Sequence, residues 1–368
     1  MRILIIINSL EMGGAEKLVV DSILLYQKMG LEVDVLCLSN KKSLLWIELE
    51  TQIKGKMIGL TEGSVYNPWL IFKIIPYLFK YELIHVHLFP SLYWAVLGKW
   101  LSFSKKVFIY TEHSTSNRRR KSLVFKLLDR LIYSGLSKVI TISEEVDLNL
   151  KHHLGYDNNK FVLVQNGVDV QKFSNARPHR KDLFFSGDDF VLIQVSSFRE
   201  HKDQPTLIKA LRLLPGRVKL LLIGEGKLRQ SCEVLVEELN LMNRVKFLGL
   251  RNDVDRLLKT ADIVILSSYH EGLSLSSIEG MSSRPFIASN VPGLREIVKG
   301  YGLLFNLGDE KDLAGHIKRL YEDKEFYQII ANRCQERSKQ FDINDMVNKY
   351  IEVYNNTLYE QYSFYGRT

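Results

Sequence analysis

The sequence predicts an α/β protein of two layered domains, each built on a parallel sheet. Three observations carry that expectation. Apolar, β-branched runs alternate with helical runs along the chain. The pattern starts afresh at FVLIQVSS (190–197), after the polar, turn-rich stretch SNARPHRKDLFFSGDDF (174–190), the best candidate for a linker. A chain of 368 residues also exceeds what one compact core usually organises.

In the first half, RILIIIN, VDVLCL, LIHVHL, KVFIYTEH and KVITIS read as strands. Between them lie the helical runs GAEKLVVDSILLYQKMG, NPWLIFKIIPYLFK and SLYWAVLGKWLS, and a basic segment. The second half continues from FVLIQVSS with the strands KLLLIGEG, VKFLGL, DIVILSS, FIASN and GLLFN. Near the end, Ile343, Met346, Val347, Tyr350, Ile351 and Tyr354 recur at helical spacing, which marks a helix with one buried stripe. The expected division is 1–174, 175–342 and a terminal helix over 343–368.

Composition excludes several classes. Cys37, Cys232 and Cys334 are far apart and odd in number, so they supply neither a disulfide framework nor a metal-ligand spacing, and a reducing cytosol is the expected setting. MRILIIINSL is too short and too early broken by Asn8 for a leader and reads as a first strand. No uncharged apolar run reaches membrane-spanning length; the closest is interrupted by Lys73, Pro76, Lys80 and Glu82. The net charge of +8 is concentrated: ten Lys/Arg stand between Lys99 and Lys138, including RRRK (118–121), against Glu112 and Asp129. An amphipathic run with Phe125, Leu127, Leu128, Leu131, Ile132 and Tyr133 follows. A solvated helix face and a contact with an anionic membrane surface both fit this pattern. Nucleic acid is not expected, because no recognisable module accompanies the charge.

The most informative residues are Glu271 and Glu279, eight positions apart. DIVILSS reads as a buried strand and LSLSSIEGMS as the helix after it, so Glu271 is expected in the loop and Glu279 about two turns into the helix, on the same face. Open α/β sheets bind ligands outside the carboxyl ends of their strands. Two acids beside free helix amides suit a ligand that joins hydroxyls to an anion, as a sugar nucleotide does. Met12-Gly13-Gly14-Ala15-Glu16, after the first strand, and Gly224-Glu225-Gly226, after KLLLI, also permit close backbone approach to a ligand. Neither is G-x-G-x-x-G, which argues against a nicotinamide cofactor. Asp253-Val254-Asp255 matches a metal-binding string, but Asp253 reads as a helix N-cap.

The string HEGLSLSSIEGMSSRPFIASNVPG (270–293) resembles the nucleotide-sugar motif of retaining glycosyltransferases with two facing Rossmann-like domains, the GT-B fold. It is most similar to family four, whose bacterial members build capsules, lipopolysaccharide and lipid-linked glycans. The resemblance extends along nearly the whole chain. It implies an interdomain cleft, a terminal helix crossing back to the first domain, an acceptor bound mostly by the first domain and a donor bound by the second. Glu279 would hold the ribose. Glu271 would hold sugar hydroxyls, and the backbone of Gly272, Leu273, Ser274 and Leu275 would face the phosphates. The family usually has glycine where Ser274 stands. Lys202 and Arg199 would stabilise the departing diphosphate, Arg199 replacing the family arginine at the position of Ser197. Gly224, Gly226, Leu250 and Arg251 would lie beside the nucleotide, Gly13 and Gly14 beside the phosphates and acceptor. His113 would contact the reacting sugar. NGVD (166–169) resembles a family signature and is mainly structural. No metal or other cofactor is implied, and the donor is a nucleoside diphosphate sugar, uridine-linked by preference.

The expected protein is thus a retaining glycosyltransferase at the cytoplasmic membrane face, acting on a glycan or lipid-linked glycan. A sugar-nucleotide epimerase on the same fold would instead release altered sugar without an acceptor. A non-catalytic scaffold would bind donor without transfer or hydrolysis.

Overall fold

The structure is a computed structural model that describes residues 1–11, 13–114 and 122–365. It separates into two units, residues 1–166 with 343–368, and residues 167–342. Each carries one parallel sheet with helices packed on it.

The first unit has seven strands: β1 (Arg2–Ile7), β2 (Glu32–Ser39), β3 (Met57–Thr61), β4 (Leu83–His87), β5 (Val107–Glu112), β6 (Lys138–Thr141) and β7 (Phe161–Leu163). Their order is β3-β2-β1-β4-β5-β6-β7, every pairing parallel. The central strands are apolar on both faces: Ile3 to Ile7 and Leu83, Ile84 and Val86 are buried. The two edge strands, β3 and β7, escape the sequence reading because they are only partly buried and short. Helix α1 (Gly14–Lys28) follows β1 directly and buries Leu18, Val19, Val20, Ile23 and Tyr26.

Helix α15 (Ile343–Tyr365) belongs to this unit, although it follows the whole of the other one in sequence. Its stripe of Ile343, Met346, Val347, Tyr350 and Tyr354 is buried, and the helix packs on α1 and β5. The Tyr354 hydroxyl is 2.9 Å from that of Tyr26 and 2.7 Å from His85 Nδ1.

The second unit has six strands: β8 (Phe190–Val195), β9 (Val218–Ile223), β10 (Val245–Gly249), β11 (Ile263–Leu266), β12 (Phe286–Ser289) and β13 (Leu303–Phe305). Their order is β10-β9-β8-β11-β12-β13, again parallel throughout. Its helices include α7 (Val170–Ser174), α8 (Gln204–Arg212), α10 (Val254–Thr260), α11 (Leu275–Ser283) and α14 (Lys324–Ser338).

Two expectations about the junction need correction. The division falls after Asn166 rather than after 174, because Val170 and Phe173 of α7 enter the second unit's core and α7 packs on α10 and α11. The stretch 174–190 is not a free linker. Lys181 Nζ lies 2.6 Å from Asp262, and Phe184 and Phe185 pack against the same core.

In both sheets the strand order reverses once, between β1 and β4 and between β8 and β11. Loops leave such a point in opposite directions, which opens a crevice at the carboxyl ends of the two strands. The loops after β1, β4, β8 and β11 are therefore where each unit can hold a ligand.

Candidate functional site

The second unit's crevice lies between the loop after β8, which carries Ser197, Arg199 and Lys202, and the loop after β11, which carries Glu271 to Ser274. Backbone pairing stitches the two loops together. Lys202 and Ser268 form an antiparallel bridge, the Asp203 amide donates to Ser267 O at 3.0 Å and the Tyr269 amide to His201 O at 2.9 Å. This pairing places Lys202 Nζ against Glu271 Oε1. Their side chains are 11% and 10% exposed, so the pair is largely withdrawn from water. The Ser268 hydroxyl donates to the same carboxylate oxygen at 2.5 Å. The sequence reading gave the two residues separate ligands; the structure ion-pairs them.

A buried polar network supports that pair. The side-chain amide of Gln194 donates to Ser196 Oγ at 3.0 Å, and its carbonyl accepts from the Ser267 amide at 3.3 Å. Gln204 donates to Ser196 Oγ and to Ser197 O, at 3.0 and 3.1 Å. Ser289 Oγ, at the end of β12, donates to Ser268 O at 2.7 Å and accepts from the Ser268 amide at 2.8 Å. Polar groups this deep persist only when bonded, so the network fixes both loops. Sequence reasoning missed it. The available signal was a glutamine inside the apolar run FVLIQV and serines closing three neighbouring strands.

Glu279 needs one correction. Helix α11 begins at Leu275, with Ser274 as N-cap, so Glu279 stands little more than one turn inside it. Residues 271–274 are not helical, and the two glutamates are not realigned by helical periodicity. Ser274 makes no side-chain cap bond; its hydroxyl meets Ser276 Oγ at 3.0 Å. The first amides of α11 therefore lack the usual hydroxyl partner and can serve an anion. Behind Glu279, Gly280 lets α11 sit directly on the sheet: a Cβ there would approach Val264 Cγ1 to 2.7 Å and the Phe286 ring to 2.8 Å.

Glycines close the crevice's walls. Gly224 and Gly226 have φ of 132° and 155°, and a Cβ on either would strike the carbonyl of Ser196 or of Phe198, at 2.2 or 2.3 Å. Gly293, at φ 82°, packs the same way on the Glu271 and Gly272 carbonyls. Arg199 is exposed and has no ion pair among the described residues. Leu250 is exposed. Arg251 forks onto Asp253, Nε to Oδ1 at 2.8 Å and Nη2 to Oδ2 at 2.7 Å. His179 Nε2 adds a contact to Asp253 at 2.8 Å, and the Arg251 bond first, then His179, holds that carboxyl down at about 2. Asp253 occupies the N-cap position of α10, yet its side chain makes no cap bond. Its oxygens are already committed to Arg251 and His179.

The first unit places Gly13 as the N-cap and Gly14 as the first residue of α1, with the Glu16 carboxylate folded over Gly13. His113 follows β5, and its Nε2 lies 3.1 Å from His87 Nδ1, at the end of β4. Glu112 beside it is anchored by the Ser114 amide at 3.0 Å and the Tyr133 hydroxyl at 2.9 Å. His85 is structural, held between Tyr354 and Thr111 Oγ1. The sequence reading set His87 with His85 as structural strand residues; the structure puts the His87 ring against His113, so the two imidazoles share one hydrogen bond.

Burial pushes His113 down to about 4, His85 down to about 3, and His87 well below its ordinary value. An unfolded imidazole titrates near ~6.5. Below that pH the unfolded chain binds protons that the folded one refuses, so the histidines favour unfolding. Above it both states are neutral and the difference vanishes. The urea midpoint is expected to fall as pH drops from about 6.5 toward 4, and substituting His85 by glutamine is expected to flatten that slope.

The basic run RRRK (118–121) lies outside the described residues. In helix α5 (Leu123–Ser134), Leu123, Val124, Leu127 and Leu131 are exposed, whereas Ile132 and Tyr133 are buried. Among the described residues no helix is long and apolar enough to cross a membrane.

Two family descriptions match the chain in succession. Residues 12–172 match "Glycosyltransferase Family 4" and residues 175–340 match "Glycosyl transferases group 1". A Campylobacter jejuni protein named as an N-acetylgalactosamine-N,N'-diacetylbacillosaminyl-diphospho-undecaprenol 4-alpha-N-acetylgalactosaminyltransferase is 26% identical over 359 residues, covering 92% of this chain and 95% of that one. The match to EpsD of Bacillus subtilis, 29% identical over 199 residues, spans about half of each chain (51% and 52%). The crystal structure of Anabaena HepE in complex with UDP and glucose superimposes with a TM-score of 0.83 at 23% identity, covering 96% of this chain and 99% of that one, which establishes the shared fold. The two parallel-sheet units, the loops at their reversal points and the paired family matches lead to one conclusion: this chain belongs to the family-four glycosyltransferases of GT-B fold.

Proposed function

We propose that the protein transfers a hexose from a UDP-sugar to a lipid-linked glycan, with retention of anomeric configuration and without a divalent metal. The observation that carries this reading is the buried Lys202–Glu271 pair at the reversal point between β8 and β11, beside the uncapped start of α11. A nucleoside diphosphate sugar matches the groups available there. Its diphosphate takes the α11 amides, Lys202 and Arg199; its ribose takes Glu279; its sugar hydroxyls take Glu271. Ser197, Gly224, Gly226, Leu250, Arg251, Gly272 and Leu273 line the nucleotide, and Ser274 narrows the choice of donor. Gly13, Gly14 and His113 serve the reacting sugar and acceptor, with His113 neutral.

As the bond from the anomeric carbon to the diphosphate oxygen breaks, negative charge grows on that oxygen. Lys202 and Arg199 stabilise it where it forms. The acceptor hydroxyl attacks from the same face, and its proton passes to the departing diphosphate. No carboxylate nucleophile is required. Fixed cations and amides take the role a metal plays in other transferases, and full turnover in chelator is expected.

Proton NMR of the product from a UDP-hexose tests the stereochemistry: an unchanged anomeric configuration is expected, and inversion refutes the proposal. Glu279→Ala is expected to weaken donor binding by roughly 1.5–3 kcal/mol, the worth of a hydrogen bond to a charged group. Calorimetric titration with UDP should show a Kd about one to two powers of ten higher.

A lipid-linked acceptor is supported by the diphospho-undecaprenol in the name of the Campylobacter relative and by the exposed apolar residues of α5. Binding at the inner face of the cytoplasmic membrane follows as part of the proposal. Flotation with anionic vesicles is expected to be salt-sensitive and lost when RRRK (118–121) is changed to four alanines. Unchanged flotation would remove the membrane contact from the proposal.

A further inference from the structure

The second unit has a polar cavity of ≈ 160 Å³ away from the crevice. Its walls include Lys259 at the end of α10, Ser282, Ser283 and Arg284 at the end of α11, and Gln328 and Asn332 on α14. Helices α10 and α11 run back to the starts of β11 and β12, so the cavity lies at the amino edge of the sheet. Glu271 and Lys202 sit at the opposite, carboxyl edge.

The cavity holds two cations and no compensating acid. Neither Lys259 nor Arg284 has an ion pair among the described residues. The Arg284 Nε is buried and without a hydrogen-bond partner, while its Nη2 donates to the Lys259 carbonyl. The Asp262 carboxylate is committed to Lys181 Nζ at 2.6 Å and to the Val191 amide at 2.7 Å. The Asp262 carbonyl takes the Tyr327 hydroxyl at 2.8 Å. Burial first, and then the charge of Arg284, push the Lys259 ammonium below its ordinary value.

We infer that this cavity is a binding site for a phosphate dianion, free or as a monoester. A buried guanidinium N–H left unbonded is costly, and an anion supplies the missing acceptor. An anion also relieves the repulsion between the two cations. Phosphate suits the set because a guanidinium presents a planar fork of donors to it and lysine a point charge. The Asn332 amide and the second N–H of the Gln328 amide can complete the shell; the Ser282 and Ser283 hydroxyls already donate to the Glu279 carbonyl. The space far exceeds the ~15 Å³ that a single water needs. The site does not depend on the donor reading, since it shares no residue with the crevice.

Calorimetric titration tests it, with inorganic phosphate in one arm and a hexose monophosphate in the other. The full chain is compared with Lys259→Gln and with Lys202→Gln, each with its crevice first saturated with UDP. Lys259 is the better probe because, among the described residues, its side chain makes no hydrogen bond or ion pair that the fold would lose. Phosphate is expected to bind wild type and Lys202→Gln alike, and at least tenfold more weakly to Lys259→Gln. Binding of the monoester in the same pattern identifies a phosphorylated metabolite as the occupant; binding of inorganic phosphate alone identifies the free ion. Equal binding to Lys259→Gln, loss in Lys202→Gln only, or no binding at millimolar phosphate would each overturn the inference. The last two outcomes also separate it from the donor site, which UDP titration reads independently.

Discussion

Replacing Lys202 by methionine is expected to lower kcat by roughly 10²–10³-fold, the usual cost of removing one preorganised charge from a developing anion. Activity is only half of the expected result. Lys202 and Glu271 are both about nine-tenths buried and face each other, so deleting one leaves the other as an unpaired charge. Breaking such a pair costs about 3–5 kcal/mol, whereas replacing both partners with neutral groups of similar size costs far less. The single variants Lys202→Met and Glu271→Gln should therefore lose more stability than the double variant, as read from urea midpoints. Catalysis should behave differently: the double variant stays as inactive as Lys202→Met. A double variant less stable than either single would show that the pair contributes net stability and is not held for chemistry. Under the proposed function, donor binding also reorganises this contact, because the diphosphate would compete with Glu271 for the same ammonium.

Gly293→Ala is expected to be the most damaging change of a residue that touches no ligand. Its φ of 82° is unfavourable for a side chain, and an added Cβ would lie 2.3 Å from Glu271 O and 2.6 Å from Gly272 O. The backbone has to move, at roughly 1–3 kcal/mol of local strain. The displaced segment carries Glu271, so the loss should appear in donor affinity as well as in thermal stability. Gly300→Ala is the control: its φ is 86° but nothing lies within 4 Å of the added carbon. It shares the backbone strain without the collision and should leave donor binding intact. Equal donor affinity in both variants would show that the turn at Gly293 does not position Glu271.

The sequence reading reached the fold through its central strands. RILIIIN and DIVILSS are buried on both faces, and such strands appear as continuous apolar runs. The edge strands β3 and β7 bury less and their apolar runs are short. The helix boundary before Glu279 was misplaced because LSLSS runs on into the helical IEGMS without a break in composition, while the fold spends Leu273 and Ser274 on the approach to the helix. The stretch 174–190 looks like a linker in composition, yet Lys181 and two phenylalanines tie it down through contacts that local sequence does not express. At the site, residue types and strand ends were legible: Lys202, Glu271, Gly224 and Gly226 all fall on the loops that meet at the second sheet's reversal point. The Lys202–Glu271 pairing was not, because it depends on which loops neighbour each other across 69 residues. The same holds for His87, whose partner His113 is 26 residues away, just past the end of the adjacent strand.

The most direct test is a crystal structure of the protein soaked with a UDP-hexose. The diphosphate is predicted to rest on the first amides of α11 and on Lys202, with the ribose on Glu279 and the hexose hydroxyls on Glu271. A nucleotide found at any other surface of the second unit, or no bound nucleotide at saturating concentration, would contradict the assignment of this crevice as the donor site.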